Sequence, residues 1–200
     1  MSDSLLAFLG IAGGIVNTIG LVPYIRDILS KKTKPERATW WIWLALNLIA
    51  FWALLSTGWT WYLAMMIAQI GAVCLIAILS LKYGYGKFKR RDIISLVIAA
   101  IGIVLWKLTN QPIAALLIVM CVDSIGLWLT LVKTWEAPHT ETLISWVLAA
   151  AASVLGLIAV GSWDPTKLVY PAYIAIGNAS LIFVIHYRRP KVPITKEAKE

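Results

Sequence analysis

Polar side chains interrupt several long apolar stretches of this chain, and one of them, Asp123, carries a carboxylate. Asp123 lies in the apolar run from Pro112 to Trp135. An ionised carboxylate at the centre of a membrane helix costs roughly 2.5–3.5 kcal/mol on insertion scales. Chains keep such a residue where it faces a bundle interior or a wet cavity and has a role there. The residue type at this position therefore predicts a functional site.

Five other apolar stretches carry a neutral polar side chain near the midpoint. With Asp123 they form what we call the polar set: Asn17, Asn47, Gln69, Asp123, Ser153 and Asn178. In lipid such groups must be satisfied within the protein, so the set predicts a polar substrate cavity at the membrane midplane. Trp40 and Trp146 are predicted to form its walls. The alternative is that the polar groups only hold neighbouring helices together and that the two tryptophans are packing or interfacial residues.

Asn17 is the predicted partner of Asp123, because an amide can donate to a carboxylate and stabilise its charge. A carboxyl group that keeps its proton in a low dielectric is the alternative. Asp123 would then couple transport to protons.

The composition places the polar set in a membrane protein. The chain is 60% hydrophobic and 14% charged, with a mean hydropathy of +0.79, whereas soluble domains average about a quarter charged residues. Apolar blocks of membrane-spanning length predict seven helices. These are Leu5–Leu29, Ala38–Ser56, Thr60–Lys82, Asp92–Leu108, Pro112–Lys133, Thr140–Gly161 and Thr166–Tyr187.

The basic residues predict the orientation of these helices. When the connections are assigned to alternating sides, all of the 18 Lys and Arg residues except Lys107 and Lys167 fall on one side. That side should be cytosolic, which puts the N-terminus outside and the C-terminus inside. The net charge of +8 is then mainly an orientation signal, and a nucleic-acid partner is not expected. Residues 31–37 and the C-terminal tail are interpreted as solvated topology signals.

An internal repeat organises the helices. At one constant offset, Val16–Leu21 aligns with Val122–Leu127, which places Asn17 on Asp123, and Trp40 aligns with Trp146. We therefore predict an all-α membrane protein with two parallel three-helix repeats joined by a linker helix. The predicted regions are a first repeat at 1–82, a basic cytosolic loop and linker helix at 83–110, a second repeat at 111–187 and a basic cytosolic tail at 188–200.

The sequence gives little support for a metal site, a disulfide or an enzymatic centre. Cys74 and Cys121 both fall inside predicted helices, and His139 and His186 lie at or beyond the cytosolic boundary. No metal site, cofactor or enzymatic activity is expected. Pro23 removes a backbone hydrogen bond near the end of the first helix and is predicted to act as a hinge or gate, with a static kink as the alternative.

The plan of three, one and three helices resembles the SWEET sugar transporters and the wider PQ-loop superfamily. The stretches Val22–Asp27, Lys32–Pro35 and His139–Thr142 look like an uncharacterised bacterial branch of that group. The resemblance implies that Pro23 is a gating hinge and that Asn178 and Gln69 correspond roughly to paired amides that contact substrate. Tyr24 replaces the Gln of the PQ pair, and the second copy has Leu129 where the first has its proline.

These observations predict a multi-pass protein of the cell (inner) membrane that transports a small polar solute by alternating access. A membrane receptor or sorting protein of the same plan, which binds a ligand without moving it across, is the alternative. The predicted partners are the solute and the lipid bilayer. The sequence leaves open whether the chain assembles with further copies of itself.

Overall fold

A computed structural model describes residues 1–55, 61–87, 89–108, 112–163 and 165–193 of the chain. These residues form seven α-helices and one short 3₁₀ turn, Pro138–Thr140. The helices are α1 (Asp3–Leu29), α2 (Arg37–Leu55), α3 (Trp61–Tyr83), α4 (Arg90–Leu108), α5 (Pro112–Glu136), α6 (Leu143–Ala159) and α7 (Pro165–Arg188).

The helix bounds match the hydropathy pattern within a few residues. The largest differences lie around the fifth connection, where α5 continues past its predicted end at Lys133 to Glu136, and α6 begins at Leu143 instead of Thr140. The later start of α6 has a local cause, because Pro138 opens the 3₁₀ turn and Thr142 takes extended backbone angles as the residue before the helix. The predicted helix ends Ser56 and Thr60, and residues 194–200 of the predicted tail, lie outside the described residues.

Three helices in the described part of the chain are long and apolar enough to cross a membrane. They are Asp3–Leu29, Leu116–Glu136 and Lys167–Arg188. Shorter apolar helices cover Ile67–Tyr83 and Leu143–Ala159. The all-helical class is therefore confirmed for the described residues, and three of their helices could cross a membrane by length and composition.

The helices gather into two compact units. Unit 1 contains residues 1–33 and 134–200, and unit 2 contains residues 34–133. Helix α1 thus belongs with α6 and α7, whereas nearly all of α5 belongs with α2, α3 and α4. Each compact unit therefore contains the first helix of one predicted repeat and the last two helices of the other.

Close approach of α1 to α6 organises unit 1. A Cβ atom on Gly13 would lie 3.1 Å from the Ala152 carbonyl oxygen, and one on Gly20 would lie 3.0 Å from Leu148 Cβ. Small residues of this kind let membrane helices approach closely enough for backbone packing. Helix α6 also packs against α7.

Unit 2 has an apolar core that joins α2, α4 and α5. The buried members are Ala38, Ile42, Ala99, Val122 and Leu129. Gly126 lets α5 approach α2, because a Cβ atom there would lie 2.9 Å from Trp43 Nε1. Helix α3 completes the unit by packing against α2.

Candidate functional site

The polar set divides evenly between the two units. Unit 1 holds Asn17 on α1, Ser153 on α6 and Asn178 on α7, whereas unit 2 holds Asn47 on α2, Gln69 on α3 and Asp123 on α5. All six side chains are partly buried. Each compact unit therefore carries one polar residue from each of three helices, and we call these groups the two triplets.

In unit 1 a hydrogen-bond chain links two members of the triplet. Asn178 Nδ2 donates to Ser153 Oγ at 2.9 Å, and Ser153 Oγ donates in turn to the Ala149 carbonyl at 2.7 Å. No donor in the described part of the chain reaches Asn178 Oδ1. That oxygen remains available to accept a hydrogen bond from a ligand.

Two amides of the polar set have hydrogen-bonding capacity that the described residues leave unused. Within the described residues, neither Asn17 in unit 1 nor Gln69 in unit 2 forms a side-chain hydrogen bond. A primary amide offers two N–H donors and one acceptor oxygen. Each unit thus presents at least one amide that a polar ligand could engage.

The remaining polar members all have interaction partners. Asn47 Nδ2 donates to the Trp43 carbonyl one turn earlier, at 2.8 Å. Ser153 makes the matching bond in α6, since its acceptor, the Ala149 carbonyl, also lies four residues back. Asp123 has an interaction partner as well. The predicted pairing of Asp123 with Asn17 joins residues of different units and stays a prediction.

Both predicted wall residues are buried. Trp40 is 4% exposed and packs edge-to-face on Trp43, with ring centroids 5.4 Å apart. Trp146 is 6% exposed, packs edge-to-face on Tyr24 at 6.1 Å and donates its indole N–H to Glu141. The polar edge of Trp146 is therefore engaged within the protein.

Pro23 lies inside α1, which continues on both sides of it from Asp3 to Leu29. The missing proline N–H does not end the helix at this point. Its role as a hinge stays a prediction.

A buried polar cluster that the sequence pattern does not reveal lies at the start of α6. Glu141 is 3% exposed, and its Oε2 accepts the Trp146 indole N–H at 2.8 Å while Oε1 accepts the Tyr24 hydroxyl at 3.5 Å. Arg189 Nη2 donates to the Glu141 carbonyl at 2.7 Å. The carboxylate therefore connects α1 with α6, and the residue after α7 binds its backbone.

A second part of this cluster anchors the residues that follow α1. Thr142 Oγ1 donates to Asp27 Oδ2 at 2.9 Å and lies 2.5 Å from Thr33 Oγ1. Because the single proton of Thr142 goes to Asp27, Thr33 must be the donor in the second bond. Thr33 is 1% exposed. The chain of bonds joins the end of α1 to the start of α6.

Unit 2 has a corresponding cluster at the start of α2. Glu36 is 6% exposed and its Oε2 accepts the Thr39 N–H at 2.7 Å, which caps the helix. Thr39 Oγ1 donates to the Gly126 carbonyl at 2.8 Å and accepts from Thr130 Oγ1 at 3.0 Å. Lys133 is also fully buried, with its ammonium 5.8 Å from the centre of the Tyr85 ring. The interpretation of residues 31–37 as solvated is therefore wrong for Thr33 and Glu36.

Burial changes the acid–base behaviour of both clusters. It raises the pKa of the Glu36 carboxyl, and the hydrogen bonds from Thr39 only partly oppose this effect. Asp92 adds to the increase and Arg91 opposes it. In unit 1, burial lowers the pKa of the Arg189 guanidinium, while the charge of Glu141 acts in the opposite direction.

A capping signal in the sequence could have located these clusters. Glu36 and Thr142 each stand immediately before a helix, a position that polar side chains favour. The Glu36 carboxylate accepts an N–H of the first turn of α2, whereas the Thr142 side chain makes no such bond in α6. The hydropathy pattern instead groups them with the surrounding basic residues.

The clusters do not form a metal centre of the usual kind, because no group of three His, Cys, Asp or Glu residues in the described ranges is close enough to hold an ion. Comparison of the chain with protein-family models, curated proteins and solved structures found no match.

Proposed function

We propose that this protein is a multi-pass transporter of the cell (inner) membrane that moves a small polar solute by alternating access. In this proposal all seven helices cross the bilayer as two parallel repeats joined by α4, with the N-terminus outside and the C-terminus in the cytosol. The resemblance to the SWEET and PQ-loop plan motivates this arrangement. The solute binds to the polar set.

The exposed apolar surface supports a membrane location. Three helices have the length and hydropathy of membrane spans. Helix α4, which is not among them, nevertheless exposes a continuous apolar surface. More than half of each of these side chains is exposed: Ile93, Ile94, Val97, Ile98, Ile101, Val104, Leu105 and Leu108. Apolar surface of this extent is unusual in water and suits contact with lipid.

Matching contacts in the two units support the repeat. Gly20 in unit 1 and Gly126 in unit 2 occupy equivalent positions of the sequence alignment, and both lie where their helix approaches a neighbouring helix closely. Their neighbours Ser145 and Thr39 are equivalent as well. Two copies of one three-helix arrangement, with the first helices exchanged, would produce this correspondence.

The open amides are the observation that carries the transport proposal. Asn17 and Gln69 have unused donors and acceptors within the described residues, and Asn178 has an unused acceptor. A polar group at membrane depth needs a partner, and a transported solute with hydroxyl or amine groups can provide one. Asp123 adds a carboxylate, which favours a cationic or zwitterionic solute or a coupled proton.

A ligand screen followed by a flux assay tests the proposal. The purified protein would be screened by thermal shift against sugars, amino acids and polyamines, and a stabilising compound would then be followed into proteoliposomes. We expect Asn17→Ala and Asn178→Leu to abolish the stabilisation and Asp123→Asn to slow the flux. Ser180→Ala is the matched control, because the Ser180 hydroxyl donates to the Gly177 carbonyl within α7.

The same experiment separates transport from reception. A compound that stabilises the protein but does not cross the proteoliposome membrane would contradict transport and indicate a receptor. If none of the compounds stabilises the protein, the polar set does not bind these classes of solute. Unchanged flux in Asp123→Asn would remove Asp123 from the mechanism.

A further inference from the structure

Three aromatic rings form an exposed stack at the end of α7. Trp135 and Tyr187 lie 6.0 Å apart between ring centroids, with an interplanar angle of 28°. Tyr187 also stacks on Phe183 at 5.8 Å and 15°. The exposed fractions are 46% for Trp135, 43% for Tyr187 and 65% for Phe183. The stack therefore presents a broad aromatic surface outside the core of unit 1.

Two basic side chains lie on this surface. The Arg188 guanidinium carbon is 4.5 Å from the centre of the Trp135 ring, and the Lys191 ammonium is 3.3 Å from the centre of the Tyr187 ring. Arg188 Nε also donates to the Trp135 carbonyl at 3.1 Å. Cation–π contacts hold both charges in place, so little side-chain freedom remains to be lost when an anion binds.

The backbone that carries Lys191 is ordered by contacts of its own. His139 Nε2 lies 2.8 Å from the Val192 carbonyl, and Arg189 donates to the carbonyls of Pro138 and Glu141. These bonds attach the segment after α7 to the connection between α5 and α6. Lys191 therefore has a defined position and is not part of a free tail.

Both cations lack an anionic partner in the part of the chain that the structure describes. No carboxylate there forms an ion pair with Arg188 or Lys191. The two terminal nitrogens of Arg188 donate no hydrogen bond to these residues either, and a guanidinium fork of this kind suits the oxygens of a phosphate.

The depth of the site follows from α7. The apolar span Lys167–Arg188 ends at Arg188. Arg188 is therefore the last residue of the segment that crosses the bilayer in the proposed function, and Lys191 lies three residues after it. Trp and Tyr rings concentrate at the membrane interface, at the level of the lipid headgroups. Basic residues at the cytosolic face attract anionic lipids.

We propose that Arg188 and Lys191, held on the rings of Trp135 and Tyr187, bind the phosphate of an anionic lipid headgroup. This inference rests on the proposed membrane insertion of α7, but it does not depend on transport. It assigns to the α7 end a lipid site separate from the polar set.

Lipid retention measured by native mass spectrometry tests the site. The full chain would be released from micelles doped with phosphatidylglycerol or with phosphatidylcholine. We expect Arg188→Gln/Lys191→Gln to weaken the retention of phosphatidylglycerol roughly thirtyfold and to leave that of phosphatidylcholine unchanged. The charge-retaining exchange Arg188→Lys/Lys191→Arg should restore most of the binding. The melting temperature of each variant in phosphatidylcholine checks that it is folded.

Matched charge removal elsewhere provides the control. Lys87 precedes α4 and Arg90 is its first residue. Both are exposed basic residues, and Lys87→Gln/Arg90→Gln removes the same charge. An equal loss of phosphatidylglycerol in this variant would overturn the proposal, because it would show unspecific attraction. Displacement of phosphatidylglycerol by equimolar soluble glycerol 3-phosphate would overturn it too, since the site would then hold a free phosphate.

Alkaline extraction separates this proposal from the proposed function. If carbonate washes the chain out of membranes, the membrane function fails and the lipid site loses its premise. If the chain stays inserted and Arg188→Gln/Lys191→Gln retains phosphatidylglycerol normally, only the lipid site is refuted.

Discussion

The indole N–H of Trp146 donates a 2.8 Å hydrogen bond to Glu141 Oε2, and both side chains are at least nine-tenths buried. The same carboxylate accepts the Tyr24 hydroxyl, and Tyr24 and Trp146 also pack ring against ring. A buried carboxylate is stable only where donors satisfy it. Glu141 thus joins α1 to α6 through hydrogen bonds from Tyr24 and Trp146, in addition to the apolar packing between the two helices.

Removing the Glu141 carboxylate should destabilise unit 1. Glu141→Ala leaves the buried donors of Trp146 and Tyr24 without their acceptor, at about 1–3 kcal/mol for each unsatisfied group. Glu141→Gln keeps one acceptor oxygen, so it should lower the free energy of unfolding by less than Glu141→Ala does. Chemical denaturation in detergent, followed by tryptophan fluorescence, would measure the change.

A double-mutant cycle tests whether the loss comes from the hydrogen bond with Trp146. Trp146→Phe removes the donor and keeps most of the ring. We expect the free energies of unfolding to give a coupling energy of about 0.5–3 kcal/mol between Glu141→Ala and Trp146→Phe. Additive effects would mean that Glu141 acts through other partners.

The close helix approaches should not tolerate a methyl group. Gly20→Ala would place a Cβ atom 3.0 Å from Leu148 Cβ, and Gly126→Ala would place one 2.9 Å from Trp43 Nε1. We expect each substitution to cost about 1–3 kcal/mol through overpacking. The melting temperature of the purified variants is the measurement.

Gly71 provides the matched control for these substitutions. It lies inside α3, and no atom comes within 4 Å of the Cβ position. Gly71→Ala should stabilise the protein by about 0.5–1 kcal/mol, because alanine is the better helix former. If Gly71→Ala and Gly126→Ala behaved alike, the close approach of α5 to α2 would be wrong.

Thr39 and Ser145 should respond in opposite ways to loss of their hydroxyl groups. Thr39→Val keeps the shape of the side chain but removes its hydrogen bonds with the Gly126 carbonyl and the Thr130 hydroxyl, at about 0.5–1.5 kcal/mol for each bond. Ser145 Oγ, at the position that the predicted repeat aligns with Thr39, is buried without a hydrogen bond in the described residues. Ser145→Ala should therefore be neutral or stabilising in the same denaturation experiment.

The stability of unit 2 should fall as Glu36 loses its proton. Burial raises the folded-state pKa above the ordinary value of 4.5, so the folded protein binds the proton more tightly than the unfolded chain does. The contribution to stability is complete below pH 4.5 and is lost as the pH rises through the folded-state pKa. We expect the unfolding free energy to decrease across this window.

Glu36→Gln removes this titration and can still accept the Thr39 N–H. The free energy of unfolding of the variant, relative to that of the wild type, should therefore increase as the pH rises. Parallel pH profiles for the two proteins would contradict the raised pKa. The Glu136→Gln variant controls for the loss of one negative charge elsewhere.

The elements were predictable because hydropathy is a local property. Each block of apolar residues long enough to form a helix did form one, and the residues of the polar set stand out because one polar side chain among some twenty apolar residues needs no structural context to be noticed. The end of α1 follows from the polar and basic residues Ser30, Lys31 and Lys32 that come directly after it. The late start of α6 depends on Pro138 and Thr142, whose turn and capping geometry hydropathy does not register.

The sequence by itself determined the helices, their approximate bounds and the polar position on each. Only the tertiary structure decided that α1 joins α6 and α7, and that each unit holds a complete triplet. The choice of packing partners depends on side chains far apart in the chain, such as Gly20 with Leu148 and Tyr24 with Glu141. For the same reason Glu36, Thr33 and Glu141 resemble solvated loop residues in sequence. Their burial comes from neighbours that only the folded chain brings to them.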